Sequence, residues 1–197
     1  YLFSRGKDAK DMDNWTKVGT SGTCYLYKNN FPLSLGFMTK NDAAYFLLDK
    51  DNPFNTQNDL FKKATGLTTD LFDPVDIIHV GHVNYDVGRT SYGNYVYTPQ
   101  DKTKVGTLKW NYQMPRTGEL FVYTYLSASG NSVKLNVSCN NGPATSYETK
   151  RPAIFSAGKF AEGDLISLSM DMEAGKQGTA RIYAQMLNQD AWEEGYK

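Results

Sequence analysis

Residues 52–72 read Asn-Pro-Phe-Asn-Thr-Gln-Asn-Asp-Leu-Phe-Lys-Lys-Ala-Thr-Gly-Leu-Thr-Thr-Asp-Leu-Phe, and they form the one long segment with the pattern of a helix. Asn52 or Asn55 can cap the first turn, because either side chain accepts from amide groups left free there. Pro53 suits the first helical position, and Gly66 suits the left-handed residue after the last turn. We therefore predict a capped helix near residues 53–65.

One face of this helix is apolar, because apolar residues recur there at three- and four-residue steps. We expect this stripe to pack on the core, and it consists of Leu60, Phe61, Ala64 and Leu67.

After the helix, the pattern of apolar residues changes to a period of two, which is typical of β-strands. Turn residues separate the alternating segments at short intervals, with a predicted hairpin at Ser129-Gly130-Asn131. We expect strands at Thr23–Lys28, Leu33–Met38, Ile77–Val87, Gly93–Thr98, Leu108–Met114, Leu120–Leu126, Val133–Cys139, Ile166–Met172 and Ile182–Met186.

These patterns predict a mainly β fold. We expect an antiparallel β-sandwich of the jelly-roll-like type over residues 77–197, because the strands are short and evenly separated by turns. A small α+β segment with the one capped helix is expected to precede it over residues 1–76.

Composition excludes some classes of function. The 197 residues contain 21 Lys+Arg and 21 Asp+Glu, so the net charge is zero, and a nucleic-acid partner is not expected. No apolar run approaches the roughly 18 residues of a transmembrane helix, so we expect this stretch not to span a membrane. The chain begins at Tyr1 without an initiator Met, and we expect a processed product or a piece of a longer protein.

The usual catalytic and metal-binding patterns are missing from the sequence. His79 and His82 are three residues apart in a predicted strand, so they fall on opposite faces and cannot share a metal. Cys24 and Cys139 are far apart in sequence; a disulfide between them is possible, but only geometry can decide it. Asp171 and Glu173 share a strand face and could pair as acid and base, or line the solvent face. We predict no catalytic residue, no metal site and no cofactor.

One stretch has the character of a contact surface, from Asn84 to Tyr97. Tyr and Arg side chains supply flat aromatic area and a cation that suits a phosphate. The candidate binding residues are Tyr85, Arg89, Tyr92, Tyr95 and Tyr97. The alternative is that these tyrosines are strand residues packed on their neighbours.

Three motifs resemble the YfhO-like family of bacterial membrane proteins. Residues 27–38, Tyr-Lys-Asn-Asn-Phe-Pro-Leu-Ser-Leu-Gly-Phe-Met, are similar to its Tyr-Glu-Asn…Leu-Pro-Leu-Gly-Phe pattern. Residues 52–58 with Thr65-Gly66 are similar to its Asn-Pro-Phe-x-x-Gln-Asn…Thr-Gly segment, and residues 183–190 resemble an element before a closing helix. Lys28 stands where the family pattern often has an acid, so any role of that acid is not carried over.

The resemblance implies a parent protein with a multi-helix membrane region like that of GT-C glycosyltransferases, in Gram-positive bacteria. It implies the addition of sugars to cell-envelope polymers such as lipoteichoic acid, with catalytic acids in membrane-region loops outside this chain. We therefore expect an extracytoplasmic domain of a multi-pass membrane protein, non-catalytic by itself. Its expected partners are the membrane-embedded part of the same polypeptide and a cell-wall glycopolymer. The alternative is a stand-alone carbohydrate-binding or adhesion module.

Overall fold

The computed structural model describes residues 1–6, 15–30, 39–127, 134–148 and 152–196. The chain consists of two compact units. Unit 1 comprises residues 1–39 and 196–197, and unit 2 runs from Lys40 to Gly195. The domain boundary predicted between residues 76 and 77 falls inside unit 2, and as a boundary it stays a prediction. The predicted strand at residues 33–38 and the hairpin turn at residues 129–131 lie outside the described residues.

Unit 1 contains a three-stranded antiparallel sheet in the order β1-β3-β2. Its strands are β1 (Leu2–Arg5), β2 (Trp15–Ser21) and β3 (Cys24–Asn29). Strand β3 confirms the strand predicted at residues 23–28. Tyr27 at its centre is buried.

Unit 2 begins with a 3₁₀ turn (Asn41–Tyr45) and helix α1 (Pro53–Thr65), and it ends within helix α2 (Gln189–Tyr196), at Gly195. Between the helices, the described residues form eleven strands. They are β4 (Phe72–Pro74), β5 (Ile77–Val83), β6 (Tyr85–Ser91), β7 (Asn94–Pro99), β8 (Gly106–Gln113), β9 (Gly118–Leu126), β10 (Lys134–Cys139), β11 (Thr145–Glu148), β12 (Ile154–Phe160), β13 (Leu165–Met172) and β14 (Gly178–Leu187).

These strands form two antiparallel sheets that enclose one core. The five-stranded sheet has the order β11-β10-β13-β8-β5, and the other has the order β12-β9-β14-β7-β6, with β4 beside β14. Alternate residues of both sheets point inward, and Trp110, Leu168 and Ile182 are fully buried among them. The predicted mainly β fold with a sandwich and a small helical part is confirmed.

Helix α1 has the bounds and caps that the sequence predicts. The Asn52 side chain accepts from the Phe54 N–H, and Gly66 ends the helix at φ 78°. The predicted apolar stripe is only half-buried, and the buried positions of α1 are instead Phe54 and Asn58. The prediction of the buried face was wrong because the first turn of α1 packs on the edge of the sheet. There the rings of Phe54 and Phe72 have their centroids 5.1 Å apart.

The predicted strand from Ile77 to Val87 is two strands in different sheets. Asn84 separates them in the left-handed region at φ 59°, which Asn tolerates better than other non-glycine residues. Its side chain donates to the carbonyls of Asp101 and Lys104, both at 2.9 Å, and accepts from the Asp101 N–H at 2.9 Å. Because this network replaces strand pairing, the chain turns there from one sheet into the other.

Both helices lie on the outer face of the six-stranded sheet and cover a second apolar cluster. Its buried members are Phe54, Leu71, Phe72, Tyr123 and Tyr183.

The helices also contact each other near the end of α1. A Cβ on Gly195 of α2 would lie 2.6 Å from the ring of Phe61, so this approach requires glycine. The Lys40 N–H donates to the Ala64 carbonyl at 3.1 Å. The first and last residues of unit 2 therefore both lie beside the last turn of α1.

Candidate functional site

Three of the five predicted binding residues are core residues. Tyr85, Tyr95 and Tyr97 are at most 2% exposed. The rings of Tyr85 and Tyr97 pack edge to face at 5.8 Å, and the ring of Tyr95 lies 5.7 Å from that of Trp110. The expectation that these tyrosines form contact surface therefore needs correcting, because strand alternation turns them toward the facing sheet.

The other two predicted residues, Arg89 and Tyr92, lie together at the surface. Arg89 is exposed, and its guanidinium carbon lies 5.7 Å from the centroid of the Tyr92 ring. The Arg89 Nε–H donates to the Ser91 carbonyl at 3.2 Å. Within the described ranges, no carboxylate forms an ion pair with Arg89.

Tyr92 is fixed in place at the turn between β6 and β7. Its hydroxyl donates to the Val75 carbonyl at 3.3 Å, and its ring lies 6.0 Å from that of Tyr183. Burial, and next the negative charge of Asp76, raise the pKa of Tyr92 to about 12. The phenol therefore stays protonated at neutral pH, and the ring is a rigid support for Arg89.

Gly93 lets this turn lie directly on β14. Its φ is 71°, and its carbonyl accepts from the Ile182 N–H at 2.8 Å. A Cβ at this position would lie 2.8 Å from the Ile182 carbonyl oxygen and against the Tyr183 ring. Only glycine satisfies both demands.

Asn94 connects this turn with the centre of the sheet. Its Nδ2 donates to the Tyr183 hydroxyl at 2.9 Å and to the Ser91 Oγ at 2.8 Å. In the strand register, Asn94 is directly opposite Arg181 of β14. The amide therefore lies between the β6–β7 turn and Arg181.

A second arginine–tyrosine pair is formed by Arg181 and Tyr125. The two residues are opposite each other in the register of β14 and β9, and the guanidinium carbon lies 5.5 Å from the ring centroid. Arg181 also pairs with Asp51, with Nη2 2.7 Å from Oδ1, and donates through Nη1 to the Lys50 carbonyl at 3.2 Å. Tyr125 remains 36% exposed.

Together these residues form a strip that runs from the β6–β7 turn, where Arg89 of the edge strand reaches Tyr92, to Arg181 and Tyr125 on the outer face of the six-stranded sheet. We call it the arginine–tyrosine strip, and it consists of Arg89, Tyr92, Asn94, Tyr125 and Arg181. Guanidinium groups bind oxyanions through forked N–H donors, and tyrosine rings cover the apolar faces of sugars. The strip therefore suits a ligand that carries both sugar-like and anionic groups.

Sequence reasoning named two of the five residues of this strip, Arg89 and Tyr92, and missed Asn94, Tyr125 and Arg181 as site residues. The missed signal was an arginine inside a strand, β14, whose other residues are mostly apolar on both faces. Such a charge is out of place in a buried strand unless it reaches the surface or a partner.

A cleft of about 440 Å³ lies near the strip, and it is lined by Leu47, Leu48, Asp49, Lys50, Asn55 and Asp59. The Asn52 N–H holds the pKa of the Asp49 carboxyl below its usual value, together with the side-chain amide of Asn55. The Leu47 N–H likewise lowers the pKa of Asp59, with Lys63 contributing next. Both carboxylates are committed to holding the chain, and neither is suited to donate a proton.

The other residues considered for chemistry have ordinary surroundings. His79 and His82 are both exposed. The Asp171 carboxylate accepts from Thr107 at 3.2 Å, and Glu173 lies 3.7 Å from the Lys176 ammonium. In the part of the chain that the structure describes, His, Cys, Asp and Glu form no group of three that could hold a metal. Cys24 and Cys139 are both free thiols.

The sequence matches the family model of the bacterial membrane protein YfhO over residues 2–196. The chain belongs to the YfhO family. The resemblance drawn from the three motifs is thereby confirmed. No helix among the described residues of this YfhO-family chain is both long and apolar enough to span a bilayer.

Several solved structures resemble the YfhO-family chain in part. A family 35 carbohydrate-binding module from Clostridium thermocellum is 10% identical, with a TM-score of 0.38 over 57% of this chain and 98% of that one. TmCBM61 in complex with β-1,4-galactotriose is 17% identical, with a TM-score of 0.34 over 51% and 86%. An exo-β-1,3-galactanase from Phanerochaete chrysosporium is 12% identical, with a TM-score of 0.34 over 56% and 29%. No curated protein matches the sequence.

Proposed function

We propose that this chain is an extracytoplasmic domain of a membrane glycosyltransferase-like protein that modifies cell-envelope polymers of the lipoteichoic acid type. In this proposal the domain holds the acceptor polymer, and its membrane-embedded partner region, in the same polypeptide, carries out sugar transfer. Membership of a membrane-protein family supports the placement of the domain beside a membrane. It also favours this function over a stand-alone adhesion module.

The observation that carries the proposal is the unpaired charge of Arg89 on the ring of Tyr92. Asp51 already neutralises part of the charge on Arg181, whereas Arg89 has no carboxylate partner among the described residues. An accessible guanidinium on a fixed aromatic ring suits a phosphodiester whose flanking sugar or polyol lies along the strip. A neutral glycan would use the tyrosines and gain little from this arginine.

The test is a titration of the 197-residue chain with short poly(glycerol phosphate), followed by NMR or calorimetry. Arg89→Ala is expected to weaken binding roughly ten- to a hundredfold, since a charge-assisted hydrogen bond to phosphate is worth about 1.5–3 kcal/mol. Tyr125→Ala is expected to weaken it less. Arg116→Ala is the control, because Arg116 is likewise an exposed arginine but lies outside the strip, where it is paired with Asp73.

Binding should also fall as salt rises, because exposed charges are screened. Equal binding by folded Arg89→Ala and wild type would exclude the strip as the phosphate site. Binding of neutral galactose oligomers with the same affinity would favour the carbohydrate-binding module instead.

The chain alone is expected to transfer no sugar. Its candidate acid pair, Asp171 and Glu173, is engaged with Thr107 and Lys176, and the carboxylates of the cleft hold backbone amides. Incubation of the isolated chain with lipid-linked or nucleotide sugar tests this directly, and turnover would contradict it.

A further inference from the structure

The end of the 3₁₀ turn and the residues that follow it carry the highest local density of exposed large apolar side chains among the described residues of unit 2. Tyr45 is 74% exposed, Leu47 71% and Leu48 73%. We call residues 45–48 the apolar loop. The other strongly exposed apolar residues of unit 2, such as Val83 and Val105, stand alone or in pairs along strand ends. Scattered apolar residues are normal on a protein surface, but three within four residues are not.

The apolar loop is held firmly from behind. The Leu47 N–H donates to the Asp59 carboxylate at 2.5 Å, and the Lys63 ammonium donates to the Tyr45 carbonyl. The next residue, Asp49, is held in turn by the Thr56 hydroxyl, which accepts from its N–H at 2.9 Å. Side chains of α1 therefore hold the backbone of the loop, while the apolar side chains of the loop remain exposed.

The Asp49 carboxylate completes this support. Its Oδ1 accepts from the N–H groups of Asp51 and Asn52, both at 2.9 Å, and its Oδ2 accepts from the Asn55 amide at 2.8 Å. The loop is thus joined to the capped start of α1. A segment held in this way keeps its exposed shape before any partner arrives, which lowers the entropy cost of docking.

We propose that the apolar loop inserts into the interfacial region of a lipid bilayer. Tyrosine prefers the level of the lipid headgroups, and leucine prefers the acyl boundary just below it. One tyrosine and two leucines in a single loop therefore suit insertion into this interfacial region. The three side chains can bury a few hundred Å² of accessible surface at most. This area is well under the roughly 800 Å² that each partner buries in a specific protein–protein interface. Because the chain belongs to a membrane-protein family, a bilayer is a reasonable partner for the loop.

Charges around the loop favour apolar insertion over attraction to anionic lipid. Lys62 is paired with Asp70 at 2.7 Å and Lys63 with Asp59 at 3.1 Å. The remaining charges near the loop have both signs, including Lys50 and Asp51. Partitioning should therefore depend little on the fraction of anionic lipid.

The apolar loop is continuous with the arginine–tyrosine strip. The loop leads into Lys50 and Asp51, and both of these bind Arg181. Insertion of the loop would therefore hold Arg181 and Tyr125 near the depth of the lipid headgroups. Lipid contact by the loop does not depend on what the strip binds.

The test uses the 197-residue chain with vesicles of pure phosphatidylcholine and of equal parts phosphatidylcholine and phosphatidylglycerol. Leu48→Trp places a reporter in the loop, and Val105→Trp places a control reporter at an equally exposed position elsewhere, 73% in both cases. Because the chain has three tryptophans of its own, the signal of each reporter is the difference in emission between the variant and the wild type. For position 48 this difference emission should shift to the blue with both vesicle types and be quenched by brominated lipid. The reporter at position 105 should show neither effect.

Co-sedimentation with the same vesicles is the second measurement. Leu47→Ser with Leu48→Ser should lower the partition coefficient roughly a hundredfold, at about tenfold for each leucine. Val83→Ser with Val105→Ser is the matched control and should leave it unchanged. Equal sedimentation of the two double variants would overturn the proposal. Blue emission from position 48 before lipid is added would also overturn it, because the loop would then be covered by the protein itself or by a second copy.

Discussion

The Asn58 side chain and the Phe72 backbone exchange two hydrogen bonds. The Asn58 Nδ2 donates to the Phe72 carbonyl at 2.9 Å, and the Phe72 N–H donates to the Asn58 Oδ1 at 2.8 Å. Both residues are buried. The amide thus pairs with β4 as a neighbouring strand would, and it joins α1 to the six-stranded sheet.

Replacing Asn58 by Ala should lower the free energy of unfolding by about 3 kcal/mol, because it leaves a buried N–H and a buried carbonyl without partners. Urea unfolding measures the change as a lower midpoint with an unchanged slope. Gln57→Ala, an exposed position in the same helix, is the control and should change little. Similar midpoints for the two variants would contradict this role of Asn58.

Asn84→Ala should destabilise the protein more than Asn84→Gly. Both changes remove the side-chain hydrogen bonds, but only alanine also meets the strain of φ 59°, which costs roughly 1–2 kcal/mol. Asn141 has the same φ and no side-chain hydrogen bond to a described residue, so it is a matched position for the backbone effect alone. The difference in stability between the Ala and Gly variants should be similar at both sites. The loss of stability from Asn to Gly should be larger at Asn84, where side-chain hydrogen bonds are also removed. Thermal melts of the four variants check this.

Acid should release the apolar loop. Hydrogen bonds from backbone N–H groups lower the pKa of Asp59 and of Asp49 from 3.8. A lowered pKa in the folded state means that the stabilisation is present above pH 3.8 and is lost as pH falls through the folded pKa values. Hydrogen exchange at the Leu47 amide should therefore rise relative to the core below about pH 4.

In Asp59→Asn this additional rise should be smaller, because the titrating group has been removed. Asp190→Asn in α2 controls for the loss of one negative charge. If the pH dependence at Leu47 is the same in Asp59→Asn as in the wild type, the carboxylate does not hold the loop.

Gly93→Ala should disturb the arginine–tyrosine strip without removing any of its side chains. The new Cβ would lie 2.8 Å from the Ile182 carbonyl oxygen and meet the Tyr183 ring, so the turn must lift from β14. We expect a loss of about 2 kcal/mol in stability from strain and overpacking. Phosphopolymer binding should also weaken.

Gly163→Ala is the control for Gly93→Ala, since its φ of 84° is also positive but a Cβ there meets nothing within 4 Å. It should lose stability from backbone strain alone and bind as the wild type does. If folded Gly93→Ala binds the phosphopolymer as well as the wild type does, the β6–β7 turn is not part of the proposed binding site.

Helix α1 could be predicted from sequence because its signals are local. Asn52, Pro53 and Gly66 act within one turn of the residues that they cap, so no knowledge of the rest of the fold was needed. The buried face of α1 was not predictable in the same way, because it depends on where β4 passes. Asn58 is polar, and only its pairing with Phe72 explains its burial.

The tyrosines show the same limit at the candidate site. Tyr95 and Tyr97 alternate with Asn94 and Val96, which fixes that they share a face. Which face is buried follows from the facing sheet, whose Trp110 contacts Tyr95. Tyr92 escapes the alternation because it lies in a turn rather than in a strand.

The last turn of α1 receives both Lys40 and Gly195, so the polypeptide enters and leaves unit 2 at one corner. A unit with neighbouring ends has the layout of an insertion, which a host chain can carry at a single point on its surface. Strands and loops far from that corner can then lengthen or shorten without altering the spacing of the flanking segments. In a family of membrane proteins, such a layout lets the surface far from that corner diversify while the two ends of the unit stay together.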